Sequence, residues 1–175
     1  MRGVLINLPL LKMTEMPITI IEADLVRPEH QEATVYLLNA YAMDPFGDGK
    51  PLSEVARRDL IPGLRAHPTS LVFLAYRDGR PVGLAICFRG FSTFAARPLV
   101  NISDYFVLPD ERGTGIGRLL LGAIEAYARL HGCCKLTLEV QEHNHHAQRV
   151  YSAAGFAQAM YVPEAGGSLY LSKAL

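Results

Sequence analysis

The run ERGTGIGRLL at residues 111–120 sets glycines at 113, 115 and 117, directly after the apolar stretch SDYFVL and before a helix-forming segment. Glycine costs a helix about 1 kcal/mol relative to alanine. Three of them where a helix begins therefore describe a loop shaped around something that comes close to the backbone. The N–H groups of a helix N-terminus, with the helix dipole behind them, bind anions, above all phosphates. A strand, a glycine turn, a helix and a further strand in that order make parallel pairing of the two strands the default expectation.

Strands and helices alternate on either side of this unit. ITIIEADL (18–25) reads as a strand rich in β-branched residues. A helix follows from about Arg27 to Ala42, with Val35, Leu38 and Ala42 at three-to-four spacing. MDPFGDGKPL (43–52) is turn-rich, and Ser53 caps a second helix through about Arg65, ended near Pro68. SLVFLAY (70–76) and PVGLAICF (81–88) form a hairpin around Asp78-Gly79. GFSTFAARP (90–98) reads as a loop and LVNISDYFVL (99–108) as the strand before the glycines. The helix from about Gly115 to Leu130 shows an apolar stripe at Leu119, Leu120, Ala123, Ile124, Tyr127 and Leu130. KLTLEV (135–140) is a strand, Asn144 to Ala154 a helix and SLYLSKAL (168–175) a last strand. Residues 18–175 read as a single α/β (α+β) domain. Residues 1–17 read as a flexible N-terminal arm, because the apolar part from Val4 to Leu11 is short for a membrane span and holds Asn7 and Pro9.

Charge narrows the ligand. Seventeen basic residues balance seventeen acidic ones, so no general field attracts nucleic acid or an anionic membrane surface. The cysteines, Cys87, Cys133 and Cys134, are odd in number and lack C-x-x-C spacing, which points to neither a disulfide framework nor a zinc site and suits a reducing cytoplasm. A nucleoside triphosphate loop needs Lys and Ser/Thr after its last glycine, whereas Arg118 and Leu119 follow Gly117. A dinucleotide fingerprint needs G-x-G-x-x-G in a first strand–helix unit, whereas the spacing here is G-x-G-x-G behind several strands.

Arg112, Gly115 and Gly117 form R-x-x-G-x-G, which resembles the coenzyme A pyrophosphate motif of the GNAT N-acetyltransferase superfamily. NHHAQRVYSAAGF supplies Asn144, Ala147, Tyr151, Gly155 and Phe156, similar to the N-x-x-A-x-x-x-Y-x-x-x-G-F pattern of that superfamily's next segment. The two patterns stand about thirty residues apart and in the family's order, and the element order over 18–175 agrees. The resemblance implies a mixed, mainly antiparallel sheet of six to seven strands with a central splayed parallel pair and flanking helices. It implies acetyl-CoA as cosubstrate, no metal, and a small-molecule amine as acceptor; dimers are common among relatives, so a homodimer is compatible with it.

The same resemblance assigns roles. The loop Gly113, Thr114, Gly115, Ile116 and Gly117, with Arg112 and Arg118 beside it, would cradle the pyrophosphate. Phe106, Val107 and Leu108 would pair with the pantetheine arm as with an added strand. Asn144 would bond near that arm, and Tyr151 would lie beside the thioester sulfur as general acid. An N–H near Val107 would face the developing oxyanion.

Other readings stand beside these. Without the motif, Tyr151 would read as a core ring with its hydroxyl bonded to a backbone carbonyl. Strand alternation puts Asp104 on the face of Ile102 and Phe106, opposite Asn101, Ser103 and Tyr105; there it either serves the acceptor amine or acts as a structural hydrogen-bond acceptor. ISDYFV resembles the LEDFFV segment of diamine acetyltransferases, with Ser103 in place of the Glu. Asp44, Phe46 and Asp48 in the helix–helix loop are candidates for a cation-attracting acceptor site, as Glu164 is, and Ser92, Thr93 and Phe94 are candidates too. The histidines of EHNHH diverge around a turn and do not make a metal set. A non-catalytic acyl-CoA sensor and a protein or peptide N-acetyltransferase remain alternatives to a small-amine enzyme.

Overall fold

The computed structural model describes residues 17–158 together with Leu171 and Lys173. The chain runs β1 (Ile18–Glu22), α1 (Pro28–Ala42), α2 (Glu54–Ala66), β2 (Ser70–Arg77), β3 (Arg80–Ser92), β4 (Arg97–Val107), a 3-10 turn (Pro109–Glu111), α3 (Ile116–Leu130), β5 (Leu136–Leu138) and α4 (His145–Ala153). The strands lie in the order β1-β2-β3-β4-β5, antiparallel except for the parallel β4–β5 pair. Five strands are present among the described residues, against the six to seven expected; the expected strand 168–175 and Glu164 fall outside them. No helix among the described residues is long and apolar enough to cross a membrane.

Helices cover both faces of the sheet, which is why Leu71–Ala75 and Val82–Cys87 are buried without alternation. On one face Ala33 and Leu37 of α1 and Leu64 of α2 close over Val72, Leu74, Val82, Leu84, Ile86 and Phe106. On the other, Leu120, Leu121, Ile124 and Ala128 of α3, with Tyr151 of α4, close over Phe73, Ala85, Cys87, Val100 and Ile102. The expected apolar stripe is thus displaced by one position: Leu121 and Ala128 are buried, whereas Leu119 and Leu130 are exposed.

Several boundaries differ from the sequence expectation for local reasons. β1 stops at Glu22 because the Asp24 carboxylate accepts the Val26 N–H at 2.9 Å and turns the chain. The expected loop 90–98 shrinks to residues 93–96, since Gly90, Phe91 and Ser92 pair with Leu99, Pro98 and Arg97. β5 is only three residues long, shorter than the expected 135–140.

The most consequential difference lies in β4. Ile86 pairs with Asp104 but Cys87 pairs with Ile102, so Ser103 is the extra residue of a β-bulge. One inserted residue reverses the alternation beyond it. Ile102 therefore faces the α3 side, whereas Asp104 and Phe106 lie on the α1 side with their partners Ile86 and Leu84. The expectation that Asp104 shares a face with Ile102, opposite Asn101, is corrected by this bulge.

Candidate active site

β5 pairs with β4 only at Val100, Asn101 and Ile102 and ends at Leu138, while β4 runs on to Val107. Beyond Ile102 the two strands part. The Leu108 N–H donates to the Val82 carbonyl at 3.0 Å, so alternation turns the backbone groups of Val107 and Tyr105 away from β3, into the parting. Leu108 itself is buried with its N–H committed to β3, unlike the free pairing edge expected of it. A cavity of about 430 Å³ opens there, bounded by Tyr41, Asp44, Phe46, Phe106, Val107, Arg112, Asn144 and Tyr151 among others. It brings together candidates from four separate stretches of the sequence.

The glycine loop leads into this cavity from the end of β4. Gly113 and Gly115 have φ of 79° and 90°, the left-handed region that costs any other residue a Cβ clash, and Gly115 is the N-cap of α3. Among the described residues none accepts a hydrogen bond from the N–H groups of residues 113–118, while the Leu119 N–H begins the helix by donating to Gly115. A row of unpaired N–H donors at a helix N-terminus, with Arg118 exposed beside it, suits a pyrophosphate. Both ends of the loop are tied. The Thr114 hydroxyl donates to the Glu111 carbonyl at 2.7 Å, and the Tyr105 hydroxyl donates to the Gly117 carbonyl at 2.5 Å.

Tyr151 enters from α4, whose N-cap is Asn144; the Asn144 side-chain oxygen accepts the Ala147 N–H at 3.1 Å. The Tyr151 ring lies between Tyr105 and Phe156, with centroids 5.7 and 5.8 Å away, and only 8% of the residue is exposed. Burial, with Tyr41 adding to it, pushes its pKa up to about 12. The phenol therefore keeps its proton at any physiological pH. Asp104 has no hydrogen-bond partner among the described residues, and burial raises its pKa above the usual carboxylate range. A buried carboxylate without a partner is costly to ionise, which favours its neutral form. Tyr41 stands among Asp104, Asp44 and Asp48, and its pKa is raised by burial first and by those three charges next.

Asp44 and Arg112 meet across the cavity. The Arg112 Nη2 donates to Asp44 Oδ2 at 2.6 Å, its Nε donates to the Val107 carbonyl at 3.1 Å, and its guanidinium sits 5.6 Å over the Phe106 ring. The second Asp44 oxygen accepts the Phe46 N–H at 3.0 Å. Asp44 is 7% exposed and its charge is already matched, so the free negative charge of this loop lies on the exposed Asp48. The loop packs tightly on α1: a Cβ at Gly47 would stand 2.2 Å from the Tyr41 carbonyl oxygen. Gly47→Ala should therefore push the 43–48 loop off the cavity and cost about 1–3 kcal/mol. Thermal unfolding and the affinity for an amine acceptor should both fall, and unchanged values of both would show that the loop moves freely.

Other candidates lie elsewhere. Ser92, Thr93 and Phe94 turn the β3–β4 hairpin at the start of β4, about 30 Å of extended strand from Phe106. His143, His145 and His146 are exposed, His146 alone of the three lining the cavity, and no group of metal-binding residues forms among the described residues. Cys133 and Cys134 are half-buried; Cys87 is the core thiol, its pKa pushed up to about 12 by burial and next by Asp104. Sequence reasoning missed Tyr41 and the loop-anchoring Tyr105. Only the aromatic at a helix end beside an acidic loop hinted at the first.

The family described as the acetyltransferase (GNAT) family matches residues 34–156. The uncharacterized N-acetyltransferase YhfO of Bacillus subtilis (strain 168) is 30% identical over 89 residues, a match covering 51% of this chain and 60% of that protein. An aminoglycoside N(6')-acetyltransferase type 1 of Klebsiella aerogenes is 27% identical over 119 residues, covering 63% of this chain and 72% of that protein. Among solved structures, that of a probable acetyltransferase superposes with a TM-score of 0.73 at 23% identity, covering 89% of this chain and 99% of that one.

Proposed function

This chain belongs to the GNAT acetyltransferase family, and from that premise we propose that it moves an acetyl group from acetyl-CoA directly to a primary amine on a small cationic acceptor. The observation that carries this reading is the parting of β4 from β5, where Tyr151, Val107 and Arg112 line one cavity, the unpaired N–H loop follows directly after Arg112, and the Asp104 charge acts on Tyr41 in the cavity wall. Residues 113–118 would hold the pyrophosphate of the cosubstrate, and the outward groups of Tyr105 and Val107 its pantetheine arm. When bound, acetyl-CoA supplies an activated thioester.

The chain's own groups supply the proton traffic. A lysine-like amine with pKa near 10.4 is neutral in only roughly one molecule in a few thousand at pH 7, so a base must take its proton. The Asp104 carboxylate fills that role, and the raised pKa brings it nearer the operating pH. Tyr151 keeps its proton at neutral pH and delivers it to the departing sulfur. The Val107 N–H donates to the oxygen that gains charge. Asp48 and Asp104 favour a cationic acceptor, and the Klebsiella aerogenes relative is named for one such class, the aminoglycosides.

Calorimetry with acetyl-CoA, followed by thiol release with a panel of amines, tests the reading. We expect acetyl-CoA to bind well below millimolar, and diamines or aminoglycosides to release thiol faster than acidic amino acids do. Binding without thiol release from any amine would make the chain a sensor. Preference for glutamate-like acceptors would overturn the acceptor class.

A further inference from the structure

We infer that Arg77 and Glu111 are positioning residues for the phosphate loop, an inference that rests on the acetyl-CoA reading above. The two side chains are 34 positions apart and meet where the β2–β3 hairpin touches the 3-10 turn just before the glycines. Arg77 Nε donates to Glu111 Oε2 at 2.9 Å, with the two side chains 25% and 12% exposed. Arg80, across the two-residue Asp78-Gly79 turn, donates to Asp110 at 3.0 Å. Two arginines of one hairpin thus hold two consecutive acids of the turn.

Stability alone does not account for this arrangement. Among the described residues the Arg77 Nη2 is buried with no hydrogen-bond partner, so part of the guanidinium is desolvated without a compensating bond. The arrangement does fix the residue from which the loop departs. Glu111 is held by its carboxylate to Arg77, by its N–H to the Leu108 carbonyl at 2.9 Å, and by its carbonyl to the Thr114 hydroxyl. At the other end Tyr105 holds Gly117. Between these anchors lie residues 113–116, whose N–H groups have no described acceptor. Donors aimed at an anion lose effectiveness when displaced, and a shift of about 1 Å can cost on the order of 10²-fold. Neither Arg77 nor Glu111 needs to touch the ligand to have this effect.

The test compares coenzyme A, which carries the diphosphate, with pantetheine, which lacks it, by calorimetry for the first and chemical-shift titration for the second. Arg77→Met keeps the unbranched apolar stem of the side chain and removes the guanidinium; Glu111→Gln keeps a hydrogen-bonding group and removes the charge. Each should weaken coenzyme A by about tenfold and leave pantetheine unchanged, and the exchanged pair Arg77→Glu with Glu111→Arg should recover part of the loss. If Arg77→Met does not fold, Glu111→Gln carries the test. Equal weakening of both ligands, or unchanged affinity for coenzyme A, overturns the inference. Failure of the unaltered chain to bind coenzyme A at all overturns the functional reading first, and this inference with it.

Discussion

Tyr151→Phe should lose about 10²-fold or more in turnover while its affinity for acetyl-CoA stays within a factor of two or so. Positioned general acids contribute on the order of 10²- to 10⁴-fold, and 10² corresponds to about 2.7 kcal/mol of transition-state stabilisation. The ring packs between Tyr105 and Phe156 whichever residue is present, so only the hydroxyl is removed. An interaction made chiefly in the transition state lowers kcat and kcat/KM together. Pre-steady-state thiol release, with calorimetry as the control, separates the two quantities. The substitution also has a signature in folding. Because burial lifts this phenol to about 12, above the ordinary tyrosine near 10, its contribution is complete below pH 10 and is lost as pH rises toward 12. Unfolding midpoints at pH 8 and pH 11 should therefore fall less in the Phe variant than in the parent chain. Full turnover in Tyr151→Phe would return this tyrosine to ordinary core packing.

Asp104→Asn should move activity and stability in opposite directions. Turnover with an amine should fall by about 10²-fold, the low end of what a positioned base contributes. The folded chain, by contrast, should gain stability at pH 7. The Asp104 carboxyl has its pKa raised by burial and finds no described partner, so ionising it opposes folding. Near pH 3 and below the group is largely protonated in the folded and unfolded chains alike and the penalty vanishes; it grows as pH rises from the ordinary value of about 3.9 to the raised folded value. The stabilising effect of the Asn variant should accordingly be present at pH 7 and absent near pH 3. A structural acceptor would give the reverse, a variant less stable at every pH, since its donor would be left unmatched. Midpoints across pH 3–8, beside amine-dependent rates, decide between the two.

What the residues alone settle here is local. Three glycines in five positions, two at positive φ, permit one kind of loop. The Asp78-Gly79 turn requires a two-residue hairpin, and Asn144 caps α4 from its own sequence position. The strand-loop-helix order and the two spaced motifs likewise depend only on neighbours along the chain, which is why the fold and the glycine loop were legible. The lining of the cavity was legible in part. Tyr151, Asn144 and Phe106 do line one cavity, but the environment of Asp104 did not follow from alternation, because a single inserted residue at Ser103 is invisible in a pattern of period two. Asp44 read as a free negative charge. Its partner Arg112 is 68 positions away, and only the packing of α1 against β4 brings them to 2.6 Å. Arg77 and Glu111 carried no signal for the same reason. Backbone conformation follows from local sterics, whereas pairing of charges depends on chain segments that become neighbours only when the sheet and its covering helices close.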